Sequence, residues 1–377
     1  MKKLKVLHIS NVAFGLSYFL GDQINFLKSI NIEATIACSK SELLDDFVNK
    51  YNIKKVEVEV TRKIDVFQDL RSIYQLYRVM RRERFDYVIG HTPKGAFLAM
   101  IASWLVGVKN RIYFRHGLVF ETSTGIRLLL MTGIEKITSM LATKIVNVSE
   151  SVLKVSLKSK FGSKKKNIIL GKGTCNGVDI AKYSFSGNEL LKDKLGIAKS
   201  NIVVGFVGRL VNDKGIEELT KAWKDLIKEY SNISLLLVGP FEERDSLSEE
   251  IVTYLRNETS VIVTDFVSNT KPFYDIIDVF ILPSYREGFP TVVLEASSME
   301  IPVITTKFTG CIDSIKDEET GLYTRLDYLD IKDKIEYYIQ NPVIREKHGR
   351  NGREWILENF RQEIIWEEIK SKVYDLA

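Results

Sequence analysis

The feature that most constrains the fold of this chain is an alternation of strand-like and helix-like segments that runs, stops and starts again. KVLHIS, IEATIAC, KVEVEV, DYVIGH, RIYFRHG and KIVNVSE are short Val- and Ile-rich runs, most of them separated by longer segments with helical spacing. Such alternation predicts a mainly parallel, doubly wound α/β sheet with helices on its faces. The cycle breaks at GKGTCNGVDIAKYSFSGNELL, a Gly-, Asn- and Ser-bearing loop read as a hinge, and restarts with NIVVGFVGRL, SLLLVGP, SVIVTDF, DVFILPS and IPVITT. Two Rossmann-like domains are therefore expected, over residues 1–185 and 186–355. Residues 356–377 read as a closing helix that packs back toward the first domain. Two such domains side by side would oppose the carboxyl ends of their strands across a cleft, where ligands of open α/β sheets bind.

A length of 377 residues, 45% hydrophobic and 27% charged, suits two separate cores. No run reaches the roughly 18 to 20 apolar residues of a membrane span, and MKKLKVLHIS passes straight into a strand pattern, so an unprocessed cytoplasmic chain is expected. Cys38, Cys175 and Cys311 are far apart and odd in number, which indicates neither a disulfide framework nor a zinc site. The net charge of +5 is unevenly spread. Residues 1–190 hold 30 Lys and Arg against 16 Asp and Glu, a net +14, leaving 24 against 33, a net −9, for the rest.

In the second half, VVGFVGRLVNDKGIEEL reads as strand, loop and helix, with Arg209 and Lys214 in the loop. Two cations at a helix N-terminus suit a diphosphate, because free N–H groups, the helix dipole and side-chain charge add. The loop is neither a Walker A sequence nor G-x-G-x-x-G. DVFILPSYREGFPTVVLEA repeats the layout, with a helix expected to begin at Pro290, where a missing N–H costs nothing. It places Glu287 in the loop and Glu295 on the helix. Carboxylates are strong acceptors for hydroxyls, so Glu295 would take ribose hydroxyls and Glu287 those of a sugar. Between them, N–H groups of Gly288, Phe289 and Thr291 would face the diphosphate. The plainer alternative is that Glu287 pairs with Arg286 or Arg209 and Glu295 is an ordinary helix acid.

E-G-F-P-x-x-x-L-E after a strand ending in Leu-Pro-Ser, with G-R-x-x-x-x-K-G upstream, resembles the retaining glycosyltransferases of the family 4 type, which have the two-Rossmann GT-B fold. The likeness covers the whole chain: the N-terminal Gly loop, HTPKG, RHG, NGVD, GRLVNDKG and EGFPTVVLEA come in the family's order. It is greatest to bacterial enzymes that build capsule, O-antigen or glycan repeat units on a lipid carrier. The resemblance implies that Arg209 and Lys214 hold the diphosphate, Glu295 the ribose and Glu287 the donor sugar, with the nucleobase near Thr264, Phe266 and Val267. The donor would be UDP-linked and the sugar a hexose, plain or N-acetylated. Many relatives have Gly where this chain has Pro290, so one backbone donor is absent and Phe289 and Thr291 must suffice.

In the first half, SNVAFGLSYFLGDQI has a single Gly15 where dinucleotide-binding dehydrogenases need three spaced glycines, which argues against NAD. The resemblance puts this loop at the reaction centre, so Phe14 and Gly15 would shape the pocket. GHTPKG and YFRHG set His91 and His116 just past strands. A lone His is more often structural than catalytic, but the resemblance makes His116 a contact to the donor sugar. His91, Thr92 and Lys94 are candidates for the acceptor, Lys94 for a phosphate at a helix start. His8 and His348 are read as structural.

A covalent double displacement would need a carboxylate nucleophile, and the first half offers only Glu121 near RHG, unmarked by any motif. The family route is same-face substitution in which the leaving diphosphate helps to deprotonate the acceptor. Arg209, Lys214 and a helix dipole would then stabilise the departing charge. No cofactor and no metal is expected, in keeping with the lack of a ligand-spaced carboxylate or His cluster. Two basic segments, DLRSIYQLYRVMRRERF and LKVSLKSKFGSKKKN, predict attraction to an anionic membrane surface, where a lipid-linked saccharide acceptor would lie. No nucleic-acid module accompanies them. The rival readings are a non-hydrolysing UDP-sugar epimerase, whose motifs are missing, and a non-catalytic protein that binds nucleotide sugars or lipid headgroups.

Overall fold

The structure is a computed structural model that describes residues 3–61, 65–187, 189–243 and 245–376. It divides into two compact units, Met1–Asn176 with Gln362–Ala377, and Gly177–Arg361.

The first unit is built on seven strands: β1 (Leu4–Ile9), β2 (Ile32–Cys38), β3 (Lys54–Glu57), β4 (Tyr87–His91), β5 (Asn110–Arg115), β6 (Lys144–Asn147) and β7 (Asn167–Ile169). All pairs are parallel, in the order β3-β2-β1-β4-β5-β6-β7. Every residue of β4 is buried, as expected of a strand covered on both faces. The helix Val66–Glu83 closes one face with Ser72, Leu76 and Met80, spaced four apart so that they share one stripe. Leu7, Ile9, Val88 and Tyr113 of the sheet complete that core.

The second unit carries β8 (Ile202–Val207), β9 (Ile233–Val238), β10 (Val261–Val263), β11 (Val279–Leu282), β12 (Val303–Thr306) and β13 (Gly321–Thr324), parallel in the order β10-β9-β8-β11-β12-β13. The helix Ile216–Glu229 buries Leu219, Trp223 and Leu226, and the Trp223 indole N–H is satisfied by Ser260 Oγ at 3.0 Å. In each unit the strand order reverses once, between β1 and β4 and between β8 and β11. These are the switch points at which the carboxyl ends of an open sheet leave a crevice.

The units divide at Asn176, ahead of the expected 185, because Tyr183 packs edge-on against Tyr274 at 5.7 Å and accepts from Ser298 through its carbonyl. The C-terminal segment is two helices, Pro342–Asn359 in the second unit and Gln362–Lys372 in the first. Trp366 of the last helix stacks on Phe26 and donates to Asn176 Oδ1 at 2.8 Å. Among the described residues, no helix is long and apolar enough to cross a membrane.

Candidate functional site

In the second unit, the loops leaving β8 and β11 flank the switch point and carry most of the residues singled out by motif. They touch through backbone. Gly215, at φ 70° before the helix Ile216–Glu229, sits so close to Pro283 that a Cβ would lie 2.0 Å from the Pro283 oxygen. The Tyr285 N–H donates to the Asp213 carbonyl at 2.9 Å, and Ser284 Oγ donates to the same carbonyl at 3.1 Å. A third segment braces the pair: Glu287 N–H donates to the Thr309 carbonyl at 2.8 Å, and Thr306 Oγ1 to the Ser284 carbonyl at 2.6 Å. Gly310, at φ 81°, leaves no space for a Cβ, which would lie 2.4 Å from the Glu287 oxygen. Thr306 and Gly310 escaped the sequence reading, which took Ser284 only as the end of a strand; β11 ends at Leu282. Gly310, four residues past a strand, and Phe308 in KFTGC were the available signal.

Both cations of the expected diphosphate site hold carboxylates. Lys214 Nζ is ion-paired with Glu287 Oε1, and Arg209 Nη1 meets Glu242 Oε2 at 2.7 Å. Glu287 thus pairs with neither of the arginines considered as alternatives; Arg286 faces Asp213 at 3.6 Å. The helix after this loop is Thr291–Ser298, with Pro290 as its N-cap instead of its first residue, at φ −76° and ψ 102°, and no side chain caps it. Thr291 opens the helix, and the Gly288–Phe289 turn leads into it, Phe289 being buried beside Phe360. First-turn N–H groups of an uncapped helix are orphan donors with a partial positive charge.

Glu295, one turn in, is buried, with 6% exposed, and accepts from Tyr274 Oη at 2.8 Å. Burial pushes its carboxyl up to about 7, opposed by hydrogen bonds from Tyr274 and Tyr183 and by the charge of Lys182. The expected nucleobase segment follows β10. Thr264 N–H donates to the Leu237 carbonyl at 3.1 Å, Asp265 bridges to Gly239, Phe266 is exposed and Val267 half-buried. The loops after β8 and β9 also meet, through a Leu210–Phe241 bridge. The four strand ends around the switch point therefore gather Arg209, Lys214, Glu287, a helix N-terminus without a side-chain cap and the Thr264–Val267 segment at one edge of this sheet.

In the first unit, Phe14 is exposed and Gly15 precedes the short helix Leu16–Phe19. A Cβ on Gly15 would lie 2.8 Å from the Phe19 ring, which stacks on His116 at 3.9 Å between centroids. His91 is buried, 1% exposed, and uses both ring nitrogens within the protein, so its expected direct contact to an acceptor is not what this site provides. Thr92 caps the helix Pro93–Val106 through Gly95 N–H at 3.3 Å, at φ 62° and ψ 151°, a positive-φ region that is strained for a β-branched residue. Lys94 is ion-paired with Asp69 at 2.7 Å and bonds Thr61 Oγ1 at 3.0 Å. Its charge is matched inside its own unit, which weakens the expected phosphate role.

Arg115 of the RHG motif is fully buried and structural. Its guanidinium reaches Glu135 Oε1 at 2.7 Å, Asn147 Oδ1 at 2.7 Å, Asn167 Oδ1 at 3.0 Å and Ser139 Oγ at 2.7 Å, tying β5, β6 and β7 to the helix Gly125–Leu141. His8, read as structural, hydrogen-bonds His91 at 3.0 Å. Of the basic segments, the helix Val66–Glu83 exposes Arg71, Arg78, Arg81 and Arg82, whereas Lys166 of the other donates to the carbonyls of Met140 and Ala142. Among the described residues, no group of three or more His, Cys, Asp and Glu is placed to hold a metal ion.

Residues 187–355 match the family model described as glycosyl transferases group 1, and residues 5–149 the one described as glycosyl transferase 4-like. The capsular polysaccharide biosynthesis glycosyltransferase CapM of Staphylococcus aureus is 34% identical over 98% of this chain and 97% of its own. The UDP-Gal:alpha-D-GlcNAc-diphosphoundecaprenol alpha-1,3-galactosyltransferase of Escherichia coli is 24% identical over 87% and 86%. Among solved structures, Anabaena HepE in complex with UDP and glucose superposes with a TM-score of 0.83 at 19% identity, covering 99% of this chain and 100% of that one. Two parallel Rossmann-like units, both family models in chain order and a relative of this identity along nearly the whole length establish that the chain belongs to the group 1 glycosyltransferases of GT-B fold.

Proposed function

We propose that this chain transfers a sugar, with retention of anomeric configuration, from a UDP-sugar to a lipid-linked saccharide in cell-surface polysaccharide synthesis. The observation that carries the reading is the clustering of two cations, one loop carboxylate and one uncapped helix N-terminus at the switch point of the second sheet. A nucleotide sugar is anionic in its middle and hydroxyl-bearing at both ends. Diphosphate oxygens would take Lys214 and Arg209 from Glu287 and Glu242, and the carboxylate of Glu287 released in this way would accept from sugar hydroxyls. Glu295 would serve the ribose, and the Thr264–Val267 backbone the base. The Escherichia coli relative is named for a UDP-linked donor and a diphosphoundecaprenol-linked acceptor, and the Staphylococcus aureus relative for capsule synthesis, which supports the choice of both substrates.

In this reading Arg209, Lys214 and the helix N-terminus stabilise the charge that develops on the departing diphosphate, and no metal ion or cofactor takes part. The exposed arginines of Val66–Glu83 would draw the enzyme to anionic lipid, at about 1 kcal/mol per well-placed cation. The test is a thermal-shift panel of nucleotide sugars followed by a UDP-release assay with a polyprenyl-diphosphate saccharide. A UDP-sugar at 100 times its Kd should add about 2.7 kcal/mol of stability, and UDP should be released only with acceptor present and equally well in EDTA. No stabilisation by any UDP-sugar, or release without acceptor, sinks the assignment.

A further inference from the structure

Adjacent strands of the first sheet, β1, β4 and β5, bring three histidines into line. His8 lies near the end of β1, His91 ends β4, and His116 follows Arg115 directly after β5. His8 Nδ1 is 3.0 Å from His91 Nε2, and His91 Nδ1 is 2.9 Å from His116 Nε2. Successive histidine rings lie edge to edge, with centroids 5.3 and 5.2 Å apart and planes tilted by 20° and 24°, and Phe19 lies over both His91 and His116. The nitrogens face one another in pairs instead of converging on a point, so this is a hydrogen-bonded chain and not a metal set.

Proton counting limits what such a chain can do. Burial pushes His8 and His116 down to about 3, and burial with the charges of its two neighbours holds His91 well below the usual imidazole range. All three rings are therefore neutral near pH 7, each with one N–H. Two N···N bonds in series then allow two arrangements. One runs from His116 inward and leaves a proton on His8 Nε2; the other runs from His8 outward and leaves Nε2 as a bare acceptor. His8 Nε2 is buried and has no hydrogen-bond partner among the described residues. An orphan buried N–H is disfavoured more than an orphan acceptor, so the outward arrangement prevails.

We infer that His8 and His91 are positioning residues that lock His116 into the tautomer with its proton on Nδ1, so that a half-buried ring presents a fixed N–H donor. Such a donor suits an oxygen that accepts, as a hydroxyl of the transferred sugar does, and would not suit a step in which His116 removes a proton. The assignment of that ligand rests on the function proposed above; the tautomer itself does not. The tautomer preference that His takes in water is thereby overridden by a residue two strands away.

The test uses the full-length protein with 15N-labelled histidine. Nitrogen–proton correlation spectra should show His116 as a single Nδ1–H tautomer between pH 6 and 8, with or without ligand. In His91→Phe the His116 signals should become a tautomer mixture, and kcat/KM for the UDP-sugar should fall roughly tenfold, as for one misdirected hydrogen bond, while affinity for UDP alone stays the same. His91→Gln, whose amide can accept from His8 and donate to His116, should restore both readouts in large part. An Nε2–H tautomer or a mixture in the wild-type protein overturns the inference, as does a His116 signal unchanged in His91→Phe. If the tautomers behave as stated but no UDP-sugar is turned over, the functional assignment fails and the histidine chain stands.

Discussion

The Lys214 ammonium and the Glu287 carboxylate meet as an ion pair that joins the loop after β8 to the loop after β11, with only 14% and 17% of the two side chains exposed. Each group neutralises the other before any ligand arrives. In the proposed function a diphosphate would exchange partners with Glu287 instead of meeting a bare cation, and the exchange would free Glu287 to accept hydrogen bonds from hydroxyls.

Glu287→Ala should retain UDP binding within a few fold, because Lys214 is then unopposed, and should lose about 10² to 10³ in kcat. Lys214→Ala should weaken UDP itself and leave Glu287 without its cation. Calorimetric titration with UDP beside UDP-release kinetics separates the two. Normal turnover in Glu287→Ala would remove this residue from the mechanism.

Gly310→Ala should be costly although Gly310 is not in any of the recognised motifs. At φ 81° a Cβ is strained, and it would lie 2.4 Å from the Glu287 carbonyl oxygen. We expect a stability loss of about 1–3 kcal/mol and a raised KM for the UDP-sugar as the Glu287 loop shifts. Thermal denaturation with donor-concentration kinetics checks both; a variant with unchanged KM would show that the loop does not need this brace.

Glu295 should make stability fall as pH rises. Its folded-state pKa of about 7 lies above the ordinary value of 4.5, because burial disfavours the carboxylate. The folded protein then holds more protons than the unfolded chain between those values. The resulting stability is complete below pH 4.5 and lost as pH climbs through 7, by about 3 kcal/mol in all. Glu295→Gln removes the titrating group, so its melting-temperature advantage over wild type should grow from pH 5 to pH 7.5. If Glu295 accepts ribose hydroxyls, UDP binding favours its ionised form and should release protons at pH 7, visible as buffer-dependent enthalpy in titration calorimetry.

Arg115→Ala should be a folding defect, not a catalytic one. It would leave the Glu135 carboxylate buried without its cation, which costs about 3–5 kcal/mol for a buried pair. Denaturant unfolding of the variant, beside the Arg115→Ala, Glu135→Gln double variant, should show part of that loss recovered. Equal stability of Arg115→Ala and wild type would contradict the buried network.

Much of this protein is legible in its sequence. The strand runs are continuous in Val, Ile and Leu because both faces of each sheet are covered, and the restart after residue 190 follows from the same periodicity in a second unit. The loops that hold Arg209, Lys214 and Glu287 could be found because they directly follow such runs. What sequence could not decide is who meets whom. The order β3-β2-β1-β4-β5-β6-β7 sets residues 8, 91 and 116 side by side, and no local pattern encodes strand order. Lys214 and Glu287 read separately as a phosphate cation and a sugar acceptor; their pairing depends on Gly215 backing onto Pro283 and Gly310 onto Glu287, contacts of backbone against backbone. His91 ends a strand and Lys94 lies in the first turn of a helix, where a ligand contact is a reasonable expectation, yet neighbouring chain covers one and neutralises the other. Local periodicity is fixed by which residues want to be buried, whereas the chemistry of a polar side chain depends on the atoms packed around it, and those come from segments far apart in the chain.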